Sequence, residues 1–148
     1  MHERFTLQSA RQILPEVRVR LGEAMRAREE LERVRQSVAE FSARAQLLGG
    51  VSLDMQDAAR WHGRVREAGA ALEAAMEKLQ ALGVQVKDLE MGLVDFPTVY
   101  RGREVLLCWR MGEPDIAWWH GTEEGFRGRK PVDADFERHH HGGEASEA

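Results

Sequence analysis

Two spacings of apolar residues divide the chain. From Pro15 onward, Val17, Leu21, Ala24, Leu31, Val34, Val38, Phe41, Ala45 and Leu48 recur mostly at intervals of three and four. That is the stripe of an amphipathic helix facing a partner. The rhythm slips at Arg28 and at the Leu31–Val34 step, which predicts a shift of register. A second stripe, Ala58, His62, Val65, Gly69, Leu72, Met76 and Leu79, keeps a strict four-three spacing over about 54–82. Leu48-Gly49-Gly50 stops the first helix, Ser52 or Asp54 can cap the second, and Gly83 ends it. Two long amphipathic helices joined by a short loop predict an antiparallel hairpin. Upstream, Thr6 suits the N-cap of a short helix over Leu7–Leu14. Pro15 disfavours helical geometry at Leu14, so a kink or break is expected before the long helix begins.

After Gly83 the period falls to two. Val84 and Val86 alternate with Gln85 and Lys87, as in a short strand. Leu93–Tyr100 and Arg103–Met111 flank Arg101-Gly102, a two-residue connection with glycine where a positive φ is needed. This hairpin sets Thr98 opposite Val105, Phe96 opposite Leu107 and Val94 opposite Trp109. A four-residue turn over Gly112-Glu113-Pro114-Asp115 would then set Met111 against Ile116, Trp109 against Trp118 and Leu107 against His120. Alternation puts Val94, Phe96, Thr98, Val105, Leu107, Trp109, Met111, Ile116 and Trp118 on a core face. Asp95, Pro97, Val99, Glu104, Leu106, Cys108, Arg110, Ala117 and Trp119 fall on the other, with Asp95–Cys108–Trp119 as its central row. A slip of one residue in either turn would exchange the faces of the strand concerned. The predicted fold is α+β: a long antiparallel helical hairpin packed on a small antiparallel β-sheet of three to four strands. Residues 1–131 make one domain, with the hairpin over about 15–82, the sheet over about 84–120 and a polar loop over 121–131. Residues 132–148 read as an acidic, disordered tail.

The runs GVQVKDL (Gly83–Leu89), GLVDFP (Gly92–Pro97), GREVLLCWRMGEP (Gly102–Pro114) and WHGTEEGFRGRKP (Trp119–Pro131) resemble the C-terminal signature of a bacterial family known as domain-of-unknown-function family 2203. FTLQSARQILPEV is similar to that family's opening helix, so the resemblance spans most of residues 3–131. It implies two long helices with a small sheet and carries no established activity or catalytic residues. Where the family tends to have a helix-capping glutamate, this chain has Ser9.

Composition narrows the function. A chain of 148 residues is one domain's worth, and 43% hydrophobic with 31% charged residues fits a soluble globular protein. No apolar run approaches the ~20 residues of a membrane span, and MHERFTLQSARQ lacks a signal peptide's apolar stretch. A single cysteine cannot form an internal disulfide, so a cytoplasmic location is expected. The net charge is -4, and residues 132–148 carry five acids against one arginine. A neutral body with an acidic tail does not suit general nucleic-acid binding.

The chemistry on offer is sparse. Cys108 would need a nearby cation or helix N-terminus to become a nucleophile. In the expected register its neighbour is Asp95 and His120 lies on the opposite face, so Cys108 reads as a buried structural thiol. Asp88, Asp95, Cys108 and His120 are the available metal ligands, but no pair has HxxxH or CxxC spacing, and neither a metal nor a cofactor is expected. His139-His140-His141 is the kind of run that binds metals weakly. Arg101, Arg103, Arg127, Arg129 and Lys130 could form an anion-binding edge, or could simply pair with Glu104, Glu123 and Glu124. GFRGR follows no predicted strand and opens no helix, so it is no nucleotide fingerprint. Trp119 needs a cover, either the C-terminal loop or a partner. Two functions follow. The first is an interaction module without catalysis, a homodimer formed through the hairpin or a complex with another protein, with Phe41, Leu48, Met55, Trp61 and Trp119 as interface residues. The alternative is a small enzyme or ligand binder using Asp95, Arg110, Glu113 and His120.

Overall fold

The computed structural model describes residues 3–47 and 55–145. Helix α1 spans Leu7–Leu47 and helix α2 spans Met55–Ala81. Leu48, Gly49, Gly50, Val51, Ser52, Leu53 and Asp54, expected to hold the helix stop, the cap and part of an interface, lie outside the described residues. Phe41 of α1 meets Trp61 of α2 at 6.3 Å between ring centroids. The start of α1 and the end of α2 share one core, through Leu7, Ala10, Leu14, Ala75 and Leu79. The two helices therefore run antiparallel.

The start of α1 behaves as one helix, without the expected break. Pro15 lies inside it and faces solvent. A proline in a helix interior costs ~3 kcal/mol through its missing N–H and its ring. Leu7, Ala10, Leu14 and Val17 are all buried on the opposite side of that turn. A buried leucine returns about 1.5–3 kcal/mol, so packing holds the geometry through the proline. Thr6 caps the helix as expected. Ser9 N–H donates to Thr6 Oγ1 at 3.0 Å, and Thr6 N–H donates to Ser9 Oγ at 2.9 Å. Ser9 thus does the reciprocal work a glutamate does in a capping box. On α2, His62 is exposed rather than in the seam, and Ala68, Ala75 and Leu79 are the buried positions among the described residues.

The strands are β1 (Gln85–Asp88), β2 (Leu93–Tyr100), β3 (Arg103–Arg110), β4 (Trp118–Gly121), β5 (Lys130–Pro131) and β6 (His140–His141). Among the described residues they form one antiparallel sheet in the order β1-β2-β3-β4-β5, with β6 also on β2, so the sheet has more strands than predicted. The β2–β3 register is the predicted one, with Thr98 on Val105, Phe96 on Leu107 and Val94 on Trp109. Its turn has φ of 51° at Arg101 and 82° at Gly102. Positive φ at both central residues is the requirement of a tight hairpin turn that matches strand twist.

The β3–β4 register is shifted by one residue from the prediction. Cys108 pairs with Trp118, Leu107 with Trp119 and Leu106 with His120. The connection runs through residues 111–117 instead of closing in four. Its course is fixed by contacts away from the turn. Trp109 Nε1 donates to the Glu113 carbonyl at 3.0 Å, Arg18 donates to the Pro114 carbonyl at 2.7 Å, and Arg11 donates to the Ile116 carbonyl at 2.9 Å. Ile116 is buried in the core. The helix-facing side of the sheet is therefore Val94, Phe96, Thr98, Val105, Leu107, Trp109 and Trp119, and Trp118 moves to the other side.

The expected disordered tail is ordered over the residues described. Helix α3 (Ala134–His139) is capped by Asp133, whose side chain accepts from Phe136 N–H at 2.8 Å. Phe136 is fully buried and stacks on Trp119, with ring centroids 5.2 Å apart. His140 Nε2 accepts from Leu7 N–H at 2.9 Å, while its Nδ1 donates to the Phe136 carbonyl at 2.8 Å. The tail thus satisfies a free donor at the start of α1. No helix among the described residues is long and apolar enough to cross a membrane.

Trp109 is the largest fully buried side chain and lies between α1 and the sheet. Trp109→Ala should cost about 3–5 kcal/mol, read as a lower urea midpoint with an unchanged slope. A loss under about 1 kcal/mol would show that the site collapses around the cavity and that the tryptophan does not hold helices and sheet together.

Candidate functional site

The shifted register builds a site on the sheet face turned away from the long helices. Asp95 of β2 pairs directly with Cys108 of β3. His120 of β4 stands beside Leu106, on the same face, and reaches across β3 to Asp95. Its Nε2 lies 3.1 Å from both Asp95 oxygens. Its Nδ1 lies 2.8 Å from the Gly121 carbonyl. Side-chain exposure is 4% for His120 and 0% for Asp95, and Cys108 is fully buried. Sequence reasoning put His120 on the opposite face, and the one-residue slip reverses that.

Both ring nitrogens face oxygen acceptors, an arrangement that the doubly protonated imidazolium satisfies. The His120 pKa is pushed up to about 10, first by its hydrogen bond to Asp95 and next by its contact with Cys108. Burial works against the shift, and the Gly121 carbonyl and the Asp95 charge add to it. A nucleophilic triad is not what this geometry offers. It would need a ring nitrogen with a free lone pair to take the thiol proton, and here both nitrogens are engaged with oxygens.

The other residues considered from the sequence separate from this pair. Glu113 is held by Arg129 in a two-pronged contact, at 2.6 Å and 3.0 Å, and accepts from Arg110 N–H at 2.7 Å. The Arg110 side chain is exposed, its guanidinium 5.7 Å from the Phe126 ring centre. Asp95 and His120 therefore form one closed pair, Glu113 belongs to a second, and Arg110 stands outside both.

The anion edge is also divided. Arg129 has only 11% of its side chain accessible. It donates to the Cys108 carbonyl at 3.2 Å and lies over Phe126 and Trp118, 4.6 and 5.3 Å from their ring centres. Arg101 is held by Asp135 at 2.6 Å, and Lys130 by Glu124 at 2.6 Å. Arg127 is exposed on a short 3-10 turn at Phe126–Gly128. Arg101, Arg103 and Lys130 do line one cleft of about 430 Å³, but Glu104, Glu123 and Glu124 line it too. Opposed charges of equal number leave no strong anion field there. Trp119 is covered by Tyr100 and Phe136. Of the expected interface residues on the hairpin, Phe41 and Trp61 are half-buried, Leu48 lies outside the described residues, and so does the side chain of Met55.

The loop between β4 and β5 covers the site. Glu124 accepts from Gly121 N–H at 3.0 Å, and Phe126 lies over the same sheet face. Between loop and sheet remains a cavity of about 150 Å³ bordered by Asp95, Leu106, His120, Thr122 and Phe126. The sequence hid this cluster because Asp95, Cys108 and His120 are not linked by a motif. Polar residues inside otherwise apolar strands were the signal available.

Residues 3–132 match the family described as "Uncharacterized conserved protein (DUF2203)", and the chain belongs to that family. No curated protein and no solved structure matches it.

The pair predicts a pH dependence. A histidine whose folded pKa lies above its ordinary value of 6.5 adds stability that is fully present below pH 6.5 and lost as pH rises through about 10. The urea midpoint should therefore fall between those limits in the unmutated protein, with the fall reduced in His120→Gln. Equal slopes in both would show that the pair is not the source. Arg129→Ala should cost about 2–3 kcal/mol, because it strands Glu113 and uncovers Trp118. A change within 0.5 kcal/mol, as at ordinary surface sites, would mean that Glu113 finds water instead.

Proposed function

We propose that this DUF2203 protein is a cytoplasmic interaction module that assembles as a homodimer through its helical arm, without catalysis of its own. The observation that carries this reading is where burial stops along the hairpin. The last buried residue of α1 is Val34, yet the helix continues to Leu47. On α2, which begins at Met55, the first buried residue among those described is Ala68. The arm between holds Val38, Phe41, Ala45, Trp61 and Val65 only half-covered, and Leu47 is 86% exposed.

Length explains the shortfall. The 41 residues of α1 extend about 60 Å. Strands of 8 residues reach about 26 Å, less than half of that length. Two helices cannot enclose aromatic side chains by themselves, and exposed apolar surface of this kind marks interfaces. A second copy laid against the arm would complete a four-helix bundle with twofold symmetry, in which the seams act as a short coiled coil. Another protein at the same surface is the competing occupant. The enzyme reading has less support, because Asp95, Arg110, Glu113 and His120 do not converge on one opening.

Light scattering at micromolar concentration tests the proposal, with an expected mass of twice 16.8 kDa. Trp61→Glu should return the protein to a monomer, since a charge placed in an apolar interface loses its water without gaining a partner. A single 16.8 kDa species in the unmutated protein would overturn the homodimer.

A further inference from the structure

We propose that Asp95, Cys108 and His120 form a binding site for a divalent transition-metal ion of the zinc or cobalt type. The inference is independent of how the hairpin assembles. One carboxylate oxygen, the thiol sulfur and one imidazole nitrogen all lie within 4.8 Å of one another, and all three residues are buried. Tetrahedral ligands held 2.0–2.3 Å from an ion sit roughly 3.3–3.8 Å apart. Small side-chain rotations therefore bring the three atoms to coordination distance.

The donors come from β2, β3 and β4, adjacent strands whose registers are fixed by backbone hydrogen bonds. Sites on paired strands hold their geometry better than sites on loops. The ring orientation is fixed as well. Nδ1 faces the Gly121 carbonyl, which turns Nε2 toward Asp95, and a bound ion takes the place of the Nε2 proton, which is released to solvent together with the thiol proton. A second ring nitrogen bonded to a backbone carbonyl is the usual support of a metal-bound histidine. Arg129 adds a tie of its own to the Cys108 carbonyl at 3.2 Å.

The donor set selects the ion. Magnesium and calcium take oxygen ligands, whereas a mix of sulfur, nitrogen and oxygen suits zinc and cobalt. Carboxylate and thiolate together neutralise a divalent charge, so the occupied site leaves no uncompensated charge in the sheet. Three protein ligands leave a fourth position. The cavity of about 150 Å³ beside Asp95 and His120 is where that position opens, with room for solvent water.

Cobalt(II) titration of the chelator-treated chain tests the site. Cys108 is the chain's single cysteine, so a sulfur-to-cobalt charge-transfer band can arise from it alone. The expected result is that band, together with visible absorption of tetrahedral intensity, saturating at one ion per chain. Cys108→Ser should abolish the band and weaken binding about 100-fold, the upper end of what losing even a supporting outer group costs. His139→Ala with His141→Ala removes the exposed histidines of the tail and should leave the band unchanged. Cobalt binding without a sulfur band in the unmutated protein would overturn the proposal. So would binding that survives Cys108→Ser and disappears with the tail histidines. The spectrum of the unmutated protein decides the matter even where Cys108→Ser fails to fold.

Discussion

The rest of the structure depends on one constraint: the hairpin of β2 and β3 is buried on both faces. Every residue from Leu93 to Val99 is buried, and so is every residue from Val105 to Trp109. Antiparallel sheets commonly cover one face and leave the other to water. Here each face needs its own layer. The long helices and α3 cover Val94, Phe96, Leu107 and Trp109. The loop from β4 to β5 covers Asp95, Leu106 and His120, with Arg129 closing over Trp118.

The free edge of β2 is closed piece by piece. β1 pairs with Leu93 to Asp95, Phe5 N–H donates to the Pro97 carbonyl at 2.6 Å, and β6 pairs with Val99 and Tyr100. An open edge would invite another chain to pair with it. Segments from both ends of the sequence therefore meet on one strand. Arg4 adds to the junction through Glu104 at 3.1 Å and the Gly143 carbonyl at 3.2 Å.

Double burial also explains the polar cluster. An aspartate in a covered strand loses its water, and without a partner that loss is costly. His120 supplies the partner, held by the Gly121 carbonyl, and the covering loop strengthens the interaction by excluding solvent. A compact group of carboxylate, thiol and imidazole is what a metal-binding site requires. The helical arm presents the opposite situation. Beyond Val34 no described residue of α1 is buried, and its apolar residues remain partly open.

The sequence by itself determined the elements whose signals are local. Period-of-three-and-four stripes specified both long helices, and Arg101-Gly102 specified the β2–β3 turn and with it eight cross-strand pairs. Tertiary structure decided what local signals leave open. Trp118 and Trp119 are adjacent and equally able to fill a core, so the sequence carried no bias between the two registers of β4. The choice fell to Ile116 entering the core and to Arg11 and Arg18 holding the connection, contacts made across about a hundred residues. That single residue of slip is what places His120 beside Asp95 and Cys108. Helical geometry through Pro15 was likewise decided by the burial of Leu14 and Val17, and order in the acidic tail by Phe136 stacking on Trp119. At Pro15 and in the tail, long-range packing outweighed a local preference of only a few kcal/mol.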